Sequence, residues 1–88
     1  MKSLAISING RVQGVGFRHH TMKVANEYNI KGMVKNMLDG SVYIEASGTD
    51  EEIEKFLRYC NEGPRWAVVE AVEILEIKDK GYTGFMVH

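Results

Sequence analysis

Three glycines and an arginine within Gly10 to Arg18 (GRVQGVGFR) have the types and spacing to hold an anion. Glycine lets the backbone turn with φ > 0 and approach a ligand closely, so successive N–H groups can face inward as a concave nest. An alternating apolar pattern precedes the run and a helical pattern follows it, which puts the positive end of a helix dipole at the same place. Arg18 stands at the start of that helix, and its planar fork binds two phosphate oxygens at once. The chemistry this suits is recognition of a phosphoryl group. A glycine-rich turn can also be only a tight connection. A cation in a helix's first turn is unfavourable against the dipole unless an anion compensates it. No glycine follows three residues after Gly16, as a dinucleotide fingerprint requires, and no Gly-Lys-Ser/Thr follows, as a phosphate loop of the nucleotide-hydrolase type requires.

Two further groups of residues accompany this run. Gly32, Val34, Asn36, Asp39, Gly40 and Val42 describe a strand ending in asparagine, an Asp-Gly turn and a valine-rich strand. Gly63, Pro64, Ala67 and Val69 form a Gly-Pro-x-x-Ala-x-Val segment. With the Gly10–Arg18 run, these motifs resemble the acylphosphatase family over residues from about 4 to 85. The resemblance implies hydrolysis of the carboxyl–phosphate bond of small-molecule acyl phosphates, with inorganic phosphate as product and inhibitor. It further implies that Arg18, with backbone N–H groups of Gln13, Gly14, Val15, Gly16, Phe17 and Arg18 itself, binds the phosphoryl oxygens. Asn36 would orient the attacking water, and no cofactor, metal or covalent intermediate is expected. From the residues alone, Asn36 has a second reading, a hydrogen bond to the backbone of its own turn.

Periodicity supplies the elements that must position these groups. Leu4, Ile6 and Ile8 alternate with Ala5, Ser7 and Asn9, as on a half-buried strand. From about Arg18 to Tyr28, Phe17, Thr21, Val24, Ala25 and Tyr28 form one helical face. Residues 30–36 and 41–47 read as antiparallel strands joined through Leu38-Asp39-Gly40, with Asn36 on the face of Ile30 and Val34. Thr49 or Asp50 can cap a second helix with an Ile53, Phe56, Leu57 and Cys60 stripe, which Gly63-Pro64 ends. Val68 to Ile77 is a further strand whose alternation slips around Glu70 to Glu73, suggesting a bulge, and Phe85 to Val87 is a short last one. The expected fold is an α+β, ferredoxin-like βαββαβ sandwich, an antiparallel sheet with two helices packed on one face.

Composition limits the partners. The 88 residues make a single domain, 1–88, and a net charge of −1 from 11 basic and 12 acidic side chains recruits neither nucleic acid nor an anionic membrane. Tyr43 is the only aromatic on the middle strands, so an RNA-binding sheet face is not expected. Acylphosphatase-like domains also open larger carbamoyl-transfer proteins with zinc-binding cysteine pairs, which are not found within these residues. A domain that binds phosphate without turnover is a third reading, opposed by the presence of both Arg18 and Asn36. Cys60 has no partner for an internal disulfide and reads as a small core residue, consistent with a reducing, cytoplasmic compartment; a monomer is expected. Helical phase puts His19 opposite the apolar stripe and His20 at its border, and His88 stands at the end of the sequence. No Cys/His spacing suits zinc, so no metal site is expected.

Overall fold

A computed structural model describes all residues, 1–88. Its elements are β1 (Lys2–Arg11), α1 (Phe17–Glu27), β2 (Lys31–Asn36), β3 (Val42–Gly48), α2 (Asp50–Glu62), β4 (Val68–Glu76) and β5 (Phe85–Val87). The strands form one sheet in the order β4-β1-β3-β2-β5. The first four strands have the ferredoxin-like arrangement expected from the sequence, and every pair among them is antiparallel. The fifth departs from an all-antiparallel sheet, because β5 lies parallel to β2, with Gly32 opposite Phe85 and Val34 opposite Val87. That direction follows from its connection: the chain leaves β4 at one edge of the sheet and enters β5 at the other.

Alternation decides which face is buried. Leu4, Ile6 and Ile8 of β1, Val34 of β2 and Val42, Ile44 and Ala46 of β3 point to one side. There they meet Phe17 and Ala25 of α1 and Ile53, Phe56 and Cys60 of α2 in one continuous core. At about 25 cal/mol per Å² of apolar surface, burying each large side chain contributes roughly 1.5–3 kcal/mol. The helices begin differently. Thr49 caps α2 through a reciprocal box, its Oγ1 accepting from the Glu52 N–H at 3.2 Å while Glu52 accepts from the Thr49 N–H at 2.8 Å. Asp50, Glu51 and Glu52 add negative charge to that first turn. Nothing comparable closes α1, whose cap is Gly16 and whose first turn holds no acidic residue.

Two local details refine the sequence reading. The β2–β3 connection runs over residues 37–41, closed by the Met37 N–H donating to the Ser41 carbonyl at 2.9 Å. Asp39 braces it, accepting from both the amide and the hydroxyl of Ser41, at 2.9 and 2.6 Å. The slip in β4 is a bulge: Asn9 faces Ala71 and Gly10 faces Val69, leaving Glu70 as the extra residue.

Candidate active site

The β1–α1 loop owes its path to Gly14 and Gly16, at φ 75° and 78°. A Cβ at either would meet nothing within 4 Å, so glycine is required there for its left-handed backbone and not for space. The loop delivers the chain into α1, whose first N–H groups are satisfied by no side-chain cap. Gln13 fastens the loop to the β2–β3 turn, its Nε2 donating to the carbonyls of Met37 and Ser41, each at 2.8 Å. The glycine loop and the end of β2 are thereby held side by side.

A cavity of about 390 Å³ opens between them, at the small end of ligand-site volumes of about 300–1,000 Å³. Gly14, Gly16 and the first turn of α1, Phe17 to His19, form one side. Asn36 forms another, and Val87 with His88 a third. No acidic side chain is among the lining residues. The electrostatics therefore combine a guanidinium, an uncapped helix N-terminus and exposed glycine amides, all of which favour a negative ligand.

Arg18 is half-buried, and its Nη1 donates to the His88 carbonyl at 2.7 Å. The fork is thus oriented by backbone, with donors remaining for a ligand. Asn36 is opposite Val42 at the end of β2, on the core side of the sheet. Its Oδ1 is buried with no hydrogen-bond partner in the protein. The turn contact considered for Asn36 from sequence is made by Asp39 instead. Ser41 holds the Asp39 carboxyl below its ordinary value, through its hydroxyl and then its amide. A buried carbonyl left unpaired costs about 1–3 kcal/mol, and native proteins keep few such groups.

Of the residues singled out from sequence, Gly14, Gly16, Phe17, Arg18 and Asn36 meet at this cavity. Gln13 and Val15 do not line it; the Gln13 side chain serves the loop's attachment. His19, which helical phase puts opposite the apolar stripe, and His88 both line the rim. His20 faces elsewhere, stacked on Tyr59 with ring centroids 5.6 Å apart. Nothing local signals His88, because its contact depends on a backbone carbonyl delivered by strand pairing. No three His, Cys, Asp or Glu side chains gather anywhere as a metal site would require. Cys60 lies in the core, where burial pushes its thiol up to about 12. No helix is long and apolar enough to cross a membrane.

The acylphosphatase family model matches residues 4–87. The chain belongs to the acylphosphatase family. It is similar to an acylphosphatase of Archaeoglobus fulgidus, 46% identical over 87 residues that cover 99% of this chain and 98% of the relative. A crystal structure of the Bacillus subtilis acylphosphatase superimposes with a TM-score of 0.95 at 31% identity, covering 100% of this chain and 99% of that one. The fold also matches part of a full-length HypF in a phosphate- and nucleotide-bound form, with a TM-score of 0.88 and 34% identity, over 99% of this chain but 12% of HypF. Hydrolysis of acyl phosphates is the activity of the acylphosphatase family, and the chain is an enzyme of this type.

Proposed function

We propose that Arg18 and the backbone amides of the Gly14–Arg18 loop bind the phosphoryl group of an acyl phosphate, and that Asn36 orients the water that attacks it. One observation carries this reading: a single cavity gathers Arg18, the left-handed glycines and Asn36, whose amide is spent on no turn. The carboxylate leaving group departs without a proton, so no general acid is required. A loose phosphoryl transition state asks chiefly for positioning and charge stabilisation. The guanidinium and the loop amides meet charge on the equatorial oxygens, while the Asn36 amide fixes the direction of approach of the water. With no carboxylate in the cavity lining, the phosphate itself is taken as the acceptor of the water's proton.

We read the chain as one domain acting as a cytoplasmic monomer on small acyl phosphates, with inorganic phosphate as product and inhibitor and with neither nucleic acid nor membrane as partner. Its near-neutral balance, with a net charge of −1, supports that. Titration with inorganic phosphate followed by amide NMR tests the site. Shifts concentrated in residues 14–18 and lost in Arg18→Ala are expected. Shifts elsewhere, or their persistence in that variant, would overturn the assignment.

A further inference from the structure

The strand order leaves residues 77–84 an unusual task. They join β4 at one edge to β5 at the other. Four strand spacings of about 4.8 Å make that path roughly 19 Å, and eight extended residues reach about 27 Å, so the segment is long enough to cross the whole sheet. It passes over the face that the helices do not cover, because its side chains reach Glu45, whose neighbours Ile44 and Ala46 point to the core. Glu45 is on β3, the central strand, and is buried at 6% exposure. A buried carboxylate is unusual unless paired, and this one is tied to the crossing segment. Lys80 Nζ donates to Oε2 at 2.8 Å and Tyr82 Oη to Oε1 at 2.5 Å. Tyr43, on β3 itself, donates to Oε2 at 2.7 Å.

Beyond this knot the segment runs directly into the cavity wall. Gly84 accepts from the Gly32 N–H at 2.9 Å, Phe85 packs edge-on against Phe56, and β5 pairs with β2. Met86 and Val87 are exposed, and the far end of β5 is tied to β2 by the His88 N–H donating to the Val34 carbonyl at 2.9 Å. The carbonyl of that same His88 orients Arg18. Taking Arg18 as the phosphoryl ligand proposed above, we infer that Glu45 is a positioning residue for Arg18. By tying Lys80 and Tyr82 to the centre of the sheet, it fixes the strap that sets β5, and thereby the His88 carbonyl that aims the guanidinium.

The three donors to Glu45 supply the test, since two come from the strap and one does not. Glu45→Gln, Tyr82→Phe and Tyr43→Phe are compared with wild type by exchange of the His88 amide and by binding of inorganic phosphate, at a temperature where each is folded. Losing the aim of one long side chain should weaken phosphate binding about fivefold in Glu45→Gln, the loss expected when a flexible group must be immobilised on binding. Tyr82→Phe should move the same way, about twofold, with faster His88 exchange in both. Tyr43→Phe removes a donor from the same carboxylate but leaves the strap tied, and should match wild type in both readouts. Equal effects from the two tyrosine variants would mean that Glu45 only supports the fold, which overturns the positioning role. Faster exchange with unchanged phosphate affinity would overturn it also, as would unchanged exchange. Failure of wild type itself to bind phosphate would instead refute Arg18 as the ligand, and the positioning role with it.

Discussion

Glu45→Gln is expected to destabilise the protein at neutral pH and to have almost no effect in acid. Burial by itself would raise the Glu45 carboxyl, but hydrogen bonds from Lys80, Tyr43 and Tyr82, with the charge of Lys80, outweigh it and leave it lowered to about 2. An unfolded glutamate titrates near about 4.3. A carboxyl whose pKa falls on folding stabilises the native state above the unfolded value, and that contribution is lost as pH drops through the folded one. At about 1.36 kcal/mol per pKa unit, the whole contribution is roughly 3 kcal/mol. The Glu45 side chain is 8% exposed but Lys80 is 54% exposed, so solvent screens part of the pair, and about 2 kcal/mol is the better expectation. Glutamine keeps the shape but cannot ionise, and its amide nitrogen cannot accept from the donors that surround the carboxylate. Urea unfolding of both proteins from pH 7 to pH 2.5 should show the variant about 2 kcal/mol less stable at pH 7, or very roughly 10 °C lower in Tm. The gap should close progressively below about pH 5. Curves that stay parallel across this range would refute the ionised, hydrogen-bonded Glu45 on which the reasoning depends.

The catalytic assignments have their own expected outcomes. Arg18→Lys should lose most phosphate inhibition and activity, because a point charge does not replace a bidentate fork, and inhibition constants will show it. Asn36→Ala should lower kcat roughly 10²-fold, as for loss of one transition-state hydrogen bond, with phosphate affinity close to wild type. Calorimetry on that variant should find stability nearly unchanged, since Asp39 braces the turn; a loss of about 1–2 kcal/mol would restore the turn-cap role for Asn36. Gly16→Ala should cost about 1–2 kcal/mol, from forcing a side chain into the left-handed backbone at φ 78°, and should weaken phosphate binding as well. Turnover should survive exhaustive chelation, and a metal requirement would contradict the mechanism.

What could be read from the sequence was what depends on neighbours in the chain. Gly14 and Gly16 announce a left-handed path into α1, and their φ values of 75° and 78° are a local demand. The α2 start was legible to within a residue: of the two candidate caps Thr49 and Asp50, Thr49 is the one used, with Glu52 capping it in return. Asp39-Gly40 signalled the β2–β3 hairpin, although the connection takes in Met37 and Ser41 because Asp39 spends its carboxylate on Ser41. Contacts between distant segments were not legible. Placing the β4 bulge at Glu70 needs the partners on β1, and the knot at Glu45 needs Lys80 and Tyr82 to be carried back across the sheet. His88 enters the site for the same reason, through a parallel pairing that no local periodicity encodes.

The most direct test is steady-state hydrolysis of benzoyl phosphate in the presence of chelator by wild type, Arg18→Ala and Asn36→Ala, with folding of each checked by circular dichroism. Turnover by wild type, with loss of both activity and phosphate inhibition in Arg18→Ala and loss of turnover alone in Asn36→Ala, is the predicted result. Activity in either folded variant comparable to wild type would contradict the central claim that these two side chains carry the reaction.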